Sequence, residues 1–321
     1  MTQTHARPPA IFLMGPTASG KTAATITLYQ QFPVEIISVD SALVYQGMDI
    51  GTAKPDAETL RQAPHHLIDL ITPLEQYSAA QFAKDALALM HQATQQGRIP
   101  LLVGGTMLYF NALQHGLSAL PQADPAIRAE IEAEAERIGW PALHAQLTEI
   151  DPAVAANIQI NDMQRIERAL EVYRISGQSM SDLRAQSTKT ELPFDVLKIA
   201  LVPSDRAILH QRIAERFALM LAHGLVDEVQ RLLAQYPQLT AETPSMRCVG
   251  YRQTLDYLKG EIDLKTLGEH GVYATRQLAK RQLTWLRGMD DLLVLDALNA
   301  TCLNQLSTRI AKLQTVGRSS V

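Results

Sequence analysis

The residues that declare a chemistry first are Gly15–Thr22, GPTASGKT, directly behind the apolar run AIFLM. They satisfy GxxxxGK[ST], the diphosphate-cradling loop, in the strand-then-helix context that the motif requires. Gly15, Pro16, Thr17, Ala18, Ser19 and Gly20 form the loop, whose backbone N–H groups and following helix N-terminus favour an anion. Lys21 adds a full charge, and the Thr22 hydroxyl is placed to ligate Mg²⁺. The motif leaves open whether the diphosphate belongs to a nucleotide.

A second apolar run, VEIISVD, ends on Asp40, followed by Ser41. In an open parallel sheet the ligand crevice lies outside the carboxyl ends of the strands, so Asp40 is expected to face the same cavity as the loop after the first strand. A carboxylate there could move a proton, or it could cap a helix or hold Mg²⁺. A third run, IPLLVGGT, closes on Gly104, Gly105 and Thr106. That ending either lets backbone approach a ligand with a hydroxyl beside it or makes a tight structural turn. The adjacent His65 and His66 point to opposite sides of an extended chain and make a poor chelate.

These strand ends need a scaffold. KTAATITLYQQF carries apolar residues at helical spacing, and SAAQFAKDALALMHQATQQG forms a helix that stops at Gly97. Strands alternating with helices predict an α/β fold, a P-loop NTPase-like parallel sheet flanked by helices. After GLSALPQADP, the stretches AIRAEIEAEAERIGWPALHAQLTEI and NDMQRIERALEVYRISGQSMSDLRAQ are helical with no strand between them. Residues 1–120 therefore read as the first part of the core, 121–192 as an all-helical insertion domain, and 193–321 as the second part. Strand character returns there in FDVLKIALVPS and DDLLVLDA, with RAILHQRIAERFALMLAHGLVDEVQRLL reading as a long helix between them. TVGRSSV reads as a frayed tail.

A chain of 321 residues can fill one core and a second small domain, and 46% hydrophobic with 19% charged residues is ordinary for a soluble globular protein. The net charge of −4 argues against nonspecific coating of nucleic acid but permits a local basic face. Cys248 and Cys302 have no CxxC spacing, so neither zinc nor a disulfide framework is expected. MTQTHARPPA carries little positive charge, and the apolar run after it is too short for a secretory or membrane-spanning segment. The expected location is cytoplasmic, with no membrane partner.

One basic face stands out. YATRQLAKRQLTWLRG holds Arg276, Lys280 and Arg287 on one helix face with Arg281 beside it and no acid among them, which favours phosphate-backbone contact over a merely solvated surface. RCVGYRQ sets two arginines and Tyr251 around a glycine, suited to stacking on unpaired bases unless Tyr251 is buried. Glu130, Glu132, Glu134 and Glu136, with Arg128 and Arg137 among them, read as a solvated helix face.

In order along the chain, GPTASGKT, SVDSALVYQGMDIGTAKP, HHLID, VGGTMLYF, QRIERALEVYRISGQSMS, GYRQ and ATRQLAKRQLTWLR resemble the tRNA dimethylallyltransferase (isopentenyl-tRNA transferase) family, from about Ile11 to Arg287. A P-loop alone is widely shared; this ordered set is specific. The resemblance implies transfer of the dimethylallyl group of dimethylallyl diphosphate to N6 of adenosine 37, beside the anticodon, in tRNAs reading codons that begin with U. Diphosphate is then a leaving group, and carbon is transferred. The amine's N–H becomes strongly acidic once nitrogen bonds the allylic carbon, so a carboxylate of pKa ~3.9 is base enough. Asp40 is expected to be that base.

By the same resemblance Arg216 approaches the diphosphate, with Arg212 one turn earlier as an alternative, and Thr106 helps to position the base or the allyl group. The implied tRNA surface comprises Asp40, Ser41, Ala42 and Leu43; Thr106 and Arg128; Gln164, Arg165, Ile166, Glu167 and Arg168; and Arg247, Cys248, Val249 and Gly250. Lys280, Arg281, Gln282, Leu283, Thr284, Trp285, Leu286 and Arg287 complete it. The insertion is expected to close over the anticodon stem-loop. Mg²⁺ is the implied cofactor, dimethylallyl diphosphate the donor, and the chain is expected to act as a monomer.

Two other readings compete. A nucleotide or nucleoside kinase would also use a P-loop with an acid behind the second strand. It has no duty for a basic carboxy-terminal helix, and no lid with paired arginines is visible. A noncatalytic RNA-binding switch would not need Asp40 beside an intact Lys21 and Thr22.

Overall fold

A strand that is apolar at every position needs cover on both faces. In the computed structural model, which describes residues 7–116, 120–186 and 191–318, the first run forms β1 (Pro9–Met14), with Ile11 to Met14 fully buried. The chain continues through α1 (Lys21–Gln31), β2 (Val34–Val39), α2 (Ala57–Gln62), the short β3 (His65–His66), α3 (Ala79–Gln95), β4 (Ile99–Gly104) and α4 (Met107–His115). Five helices follow: α5 (Pro125–Ile138), α6 (Trp140–Ile150), α7 (Pro152–Ala155), α8 (Met163–Ser176) and α9 (Met180–Gln186). The sheet resumes at β5 (Asp195–Val202), followed by α10 (Arg206–Ala222), α11 (Leu225–Gln235), α12 (Tyr251–Leu258), α13 (Leu264–Arg287), β6 (Leu292–Asp296) and α14 (Cys302–Arg318).

The strands are all parallel, in the order β3-β2-β4-β1-β5-β6. Met14 lies opposite Gly104 on one side and Ala200 on the other, and Val39 also lies opposite Gly104. The carboxyl ends of β1, β2 and β4 are therefore level, with β5 running two residues further, and the turns at Gly15, Asp40 and Gly105 leave the sheet along one edge. Ile11 and Leu13 pack with Leu28 of α1 and Leu306 and Ile310 of α14 on one face. Phe12, pointing the other way, meets Phe110 of α4 at a ring separation of 5.0 Å.

A second core joins Val44, Tyr45 and Met48, just beyond Asp40, to Phe217, Val229, Tyr251 and Leu267 on α10 to α13. It anchors the segment after β2 against those helices. The helical unit, His115–Leu192, has its own core around Ile131, Leu143, Leu147, Ile166 and Leu170.

The structure departs from the sequence reading in its helices. The run read as one helix from Arg206 breaks at Gly224, whose φ of +94° is a left-handed turn that glycine adopts freely. Thr315 to Arg318 belong to the last turns of α14, while 319–321 lie outside the described residues, as do 1–6 of the amino-terminal stretch and 117–119 of GLSALPQADP. His65 and His66, read as extended chain, do lie on a short edge strand, paired with β2. No described helix is long and apolar enough to cross a membrane.

Candidate active site

Between β1 and α1 the loop turns through two left-handed residues, Ala18 at φ 62° and Gly20 at φ 94°. Glycine does this freely, whereas alanine costs of order 1 kcal/mol, so the surroundings must hold Ala18 there. The Ser19 hydroxyl is buried and lacks a hydrogen-bond partner. Lys21 reaches back across the loop and donates to the carbonyls of Gly15 (2.9 Å) and Pro16 (2.8 Å). Burial and then the neighbouring Arg216 push its ammonium down to about 7, while Asp40 acts in the opposite sense. An entering anion supplies the countercharge that this lysine lacks.

Asp40 sits at the end of β2, where its Oδ1 accepts the N–H of Ala42 (2.9 Å) and of Leu43 (3.4 Å). This Asx-type turn fixes the carboxylate. Thr106 Oγ1 accepts from Ser41 N (3.0 Å), and Thr106 N donates to the Val39 carbonyl (3.2 Å). The threonine thus ties the end of β4 to the turn that carries Asp40.

The phosphate loop, Asp40, Arg212, Arg216 and Cys248 line one cavity of about 530 Å³. Burial lowers the pKa of the Arg216 guanidinium and Asp40 opposes the shift; its Nη2 donates to the Thr52 carbonyl (3.4 Å). Burial, then Asp40, push the Cys248 thiol up to about 12, so it stays protonated at neutral pH. His65 also lines the cavity, a placement that the sequence reading missed. His66 instead meets Glu35 at 2.6 Å.

Mg²⁺ retains several waters and typically binds one or two protein oxygens plus substrate phosphates. Thr22 and Asp40 both line the cavity, and among the described residues no three of His, Cys, Asp and Glu converge on a metal site. That donor set fits a Mg²⁺ arriving with a diphosphate, held by Thr22 with Asp40 near, better than a permanently caged ion.

The largest omission from the sequence reading is Glu228 of α11. It is 2% exposed, and its carboxylate accepts the successive N–H groups of Asp49 (3.0 Å), Ile50 (2.8 Å) and Gly51 (3.1 Å), with the Tyr251 hydroxyl donating at 2.6 Å. A Cβ on Gly51 would collide with the Tyr251 ring. Together these residues fix the segment whose Thr52 and Ala53 line the cavity. Tyr251 is fully buried, which removes it as a base-stacking platform.

The stretches expected to meet tRNA divide by burial. Ser41, Gln164, Arg165, Arg247, Lys280, Arg281, Thr284, Trp285 and Arg287 are exposed. Ala42, Leu43, Thr106, Glu167, Val249 and Leu283 are partly so. Ile166, Gly250, Gln282 and Leu286 are buried, so Ile166 and Leu286 serve packing, and Gln282 faces inward. Arg276 does not share the open face of Lys280 and Arg287: it is partly buried, with its Nε shielded from solvent.

In the helical unit Arg128 donates to the buried Glu171 through Nε (2.8 Å) and Nη2 (3.2 Å), and Arg168 through Nη1 (2.5 Å). The Asp124 N–H adds a fourth donor at 2.9 Å. Burial pushes the Glu171 carboxyl up, but these donors more than offset it and leave it below the ordinary glutamate value. Of the acidic run on α5, Glu134 is engaged by Arg174 (2.5 Å) and Gln146 (3.1 Å).

The level strand ends, the phosphate loop and the helical insertion define an α/β protein with a P-loop-like fold. The sequence model of the IPP transferase family matches residues 43–289, and the chain belongs to that family. Proteins named tRNA dimethylallyltransferase in Methylobacillus flagellatus and Thiobacillus denitrificans are 61% and 60% identical to it. Those alignments cover 95% and 91% of this chain and 97% and 92% of the relatives. The full-length tRNA isopentenylpyrophosphate transferase of Bacillus halodurans superposes with a TM-score of 0.69 at 34% identity, covering 97% of this chain and 100% of that one. A eukaryotic dimethylallyltransferase acting on tRNA gives 0.79 at 26% identity, covering 95% of this chain and 77% of that one.

Proposed function

We propose that this protein transfers the dimethylallyl group of dimethylallyl diphosphate to N6 of adenosine 37 in tRNAs reading codons that begin with U. The observation that carries the reading is the convergence of a phosphate loop and the Asp40 carboxylate on one cavity. The N6 lone pair forms a bond to C1 of the allyl group as the C1–O bond breaks, and that electron pair leaves with diphosphate. The proton released from the alkylated nitrogen passes to Asp40, held in place by Ala42, Leu43 and the Thr106 tie. Lys21, the loop N–H groups and Arg216 stabilise the charge that grows on the departing diphosphate, the term usually largest in such sites. Thr22 would hold a Mg²⁺ that arrives with the diphosphate, and such an ion would add to the neutralisation of that leaving group.

The acceptor base must leave the anticodon-loop stack, which costs a few kcal/mol and least in a loop. Lys280, Arg281 and Arg287 on α13, and Arg165 and Arg168 in the helical unit, are assigned to the RNA backbone; such contacts position without reading sequence. The partners are the anticodon stem-loop and the allylic diphosphate, and the protein acts as a monomer in the cytoplasm.

The test is incubation with Mg²⁺, dimethylallyl diphosphate and such a tRNA lacking the modification, followed by nucleoside mass analysis. Expected is one dimethylallyl mass gained on adenosine, with diphosphate released. No gain, with ATP consumed in a parallel reaction, would assign the site to a kinase instead.

A further inference from the structure

Helix α13 presents two faces with different chemistry. Lys280, Arg281 and Arg287 are exposed. Thr275, Leu278 and Gln282, at helical spacing on another face, line the cavity beside the phosphate loop. Gln282 is 8% exposed and uses both ends of its amide: Oε1 accepts the Thr17 N–H at 2.9 Å, and Nε2 donates to the Gly105 carbonyl at 3.0 Å. One side chain thus bridges the phosphate loop after β1 and the turn after β4.

The bridge makes demands on its neighbours. A Cβ at Gly105 would overlap the Gln282 amide nitrogen, so the second glycine of VGGT leaves room for this contact. A planar group with one acceptor and one donor is needed. Glutamate would turn an oxygen toward the Gly105 carbonyl, and methionine would leave both backbone groups unpaired. The Thr17 N–H, being bound to Gln282, is withheld from a ligand; its part is to hold the shape of the loop.

We propose that Gln282 is a positioning residue that locks the phosphate loop to α13, so that RNA bound on that helix and diphosphate bound in the loop strengthen one another. The inference rests on the reading above, in which the loop holds the allylic diphosphate and α13 meets tRNA. An RNA that steadies α13 steadies Gln282, and through it the turn from Thr17; by linkage the effect is reciprocal.

The experiment titrates inorganic diphosphate with Mg²⁺ into the full chain, with and without a saturating anticodon stem-loop RNA and with no allyl donor, so that no turnover occurs. In the wild type, RNA tightens the Kd for diphosphate several-fold. Gln282→Met, close in length and favourable in a helix, weakens diphosphate binding about tenfold and abolishes the RNA effect, since two buried backbone groups lose their partner. Gly105→Ala displaces the same amide from the other side and reproduces the loss, which keeps the test decisive if Gln282→Met fails to fold. In turnover, Gln282→Met raises KM for the allylic diphosphate far more than it lowers kcat at saturation, whereas a general structural defect would lower both.

Wild-type affinity in the folded Gln282→Met or Gly105→Ala protein, or a wild-type Kd indifferent to RNA, overturns the proposal. If the wild type binds no diphosphate at all, the assignment of the loop falls first and this coupling falls with it.

Discussion

Glu228 and Glu171 are both buried carboxylates, and the two units satisfy them by opposite means. Glu228, in the α/β unit, accepts only neutral donors: three successive backbone N–H groups and a tyrosine hydroxyl. Glu171, in the helical unit, is satisfied by two arginine side chains, 36% and 30% exposed, and one N–H. The first arrangement freezes a segment of cavity wall. The second orders two cations whose outer edges remain open to solvent, where a phosphate can reach them. Chemistry is assigned to the region whose polar groups have no freedom, and RNA contact to the region whose charges are held but available.

The strongest way to break that contrast is at Asp40. Asp40→Ala should lower kcat by about 10²- to 10⁴-fold, the usual range for a general base, and leave binding of the stem-loop RNA within about twofold. Single-turnover rates and filter-binding affinities check both halves. Surviving turnover would move the chemistry out of this cavity.

The two carboxylates themselves come next. Glu228→Ala strands several buried donors and should cost about 3 kcal/mol in urea unfolding. Tyr251→Phe removes one donor and keeps the three loop bonds, so about 1 kcal/mol is expected. Glu171→Ala leaves arginines that water can reach, and its cost should fall nearer 1 than 3 kcal/mol. Equal costs for the two alanine variants would erase the distinction drawn between the units.

Two pH effects sharpen it further. Lys21 titrates near 7 in the free protein. A bound diphosphate raises that value, so binding takes up a proton above about pH 7, and affinity falls by up to about tenfold per pH unit beyond it. Lys21→Met should bind more weakly and lose most of this pH dependence; a wild-type profile no steeper than the variant's would disprove the role. For folding, the sign is opposite to that of a paired lysine. The unfolded chain binds more protons between about 7 and 10.5, so free-protein stability from this residue rises with pH across that window. Glu171 is held below 4.5, so its contribution is present above that pH and is lost as pH falls through the lower folded value. Acid titration followed by hydrogen exchange should show the helical unit's α5 and α8 opening more readily in the wild type at low pH than at neutrality, with a smaller difference in Glu171→Gln.

How much of this was readable in the chain depends on contiguity. GPTASGKT is a local motif, and β1 and β4 announce themselves because a strand covered on both faces is apolar throughout, while β2 keeps the same pattern apart from Glu35 and Ser38. Asp40 follows from its place at a strand's end. Glu228 could not be found this way: beside Asp227 in the first turn of α11, it looks like any acid favouring a helix N-terminus, and its backbone partners lie 177 to 179 positions away. Gln282 bonds a residue 265 positions earlier, and nothing in KRQLTW separates its inward amide from an exposed one. The break at Gly224 was hidden because a helical pattern tolerates one glycine, and its left-handed φ belongs to the turn between α10 and α11.

The smallest effect tests the RNA side of the comparison alone. Arg165 is 68% exposed and its nearest acid, Asp162, stands at 3.5 Å, a loose surface pair worth little to folding. Arg165→Ala should leave thermal stability within about 0.5 kcal/mol while removing one phosphate contact. The log–log salt slope of stem-loop binding would then fall by about one, with a similar loss for every RNA sequence tested. Arg168→Ala differs because it also strips a donor from Glu171. It should lose both the salt slope and measurable stability of the helical unit, and an identical phenotype for the two arginines would mean that Glu171 does not set them apart.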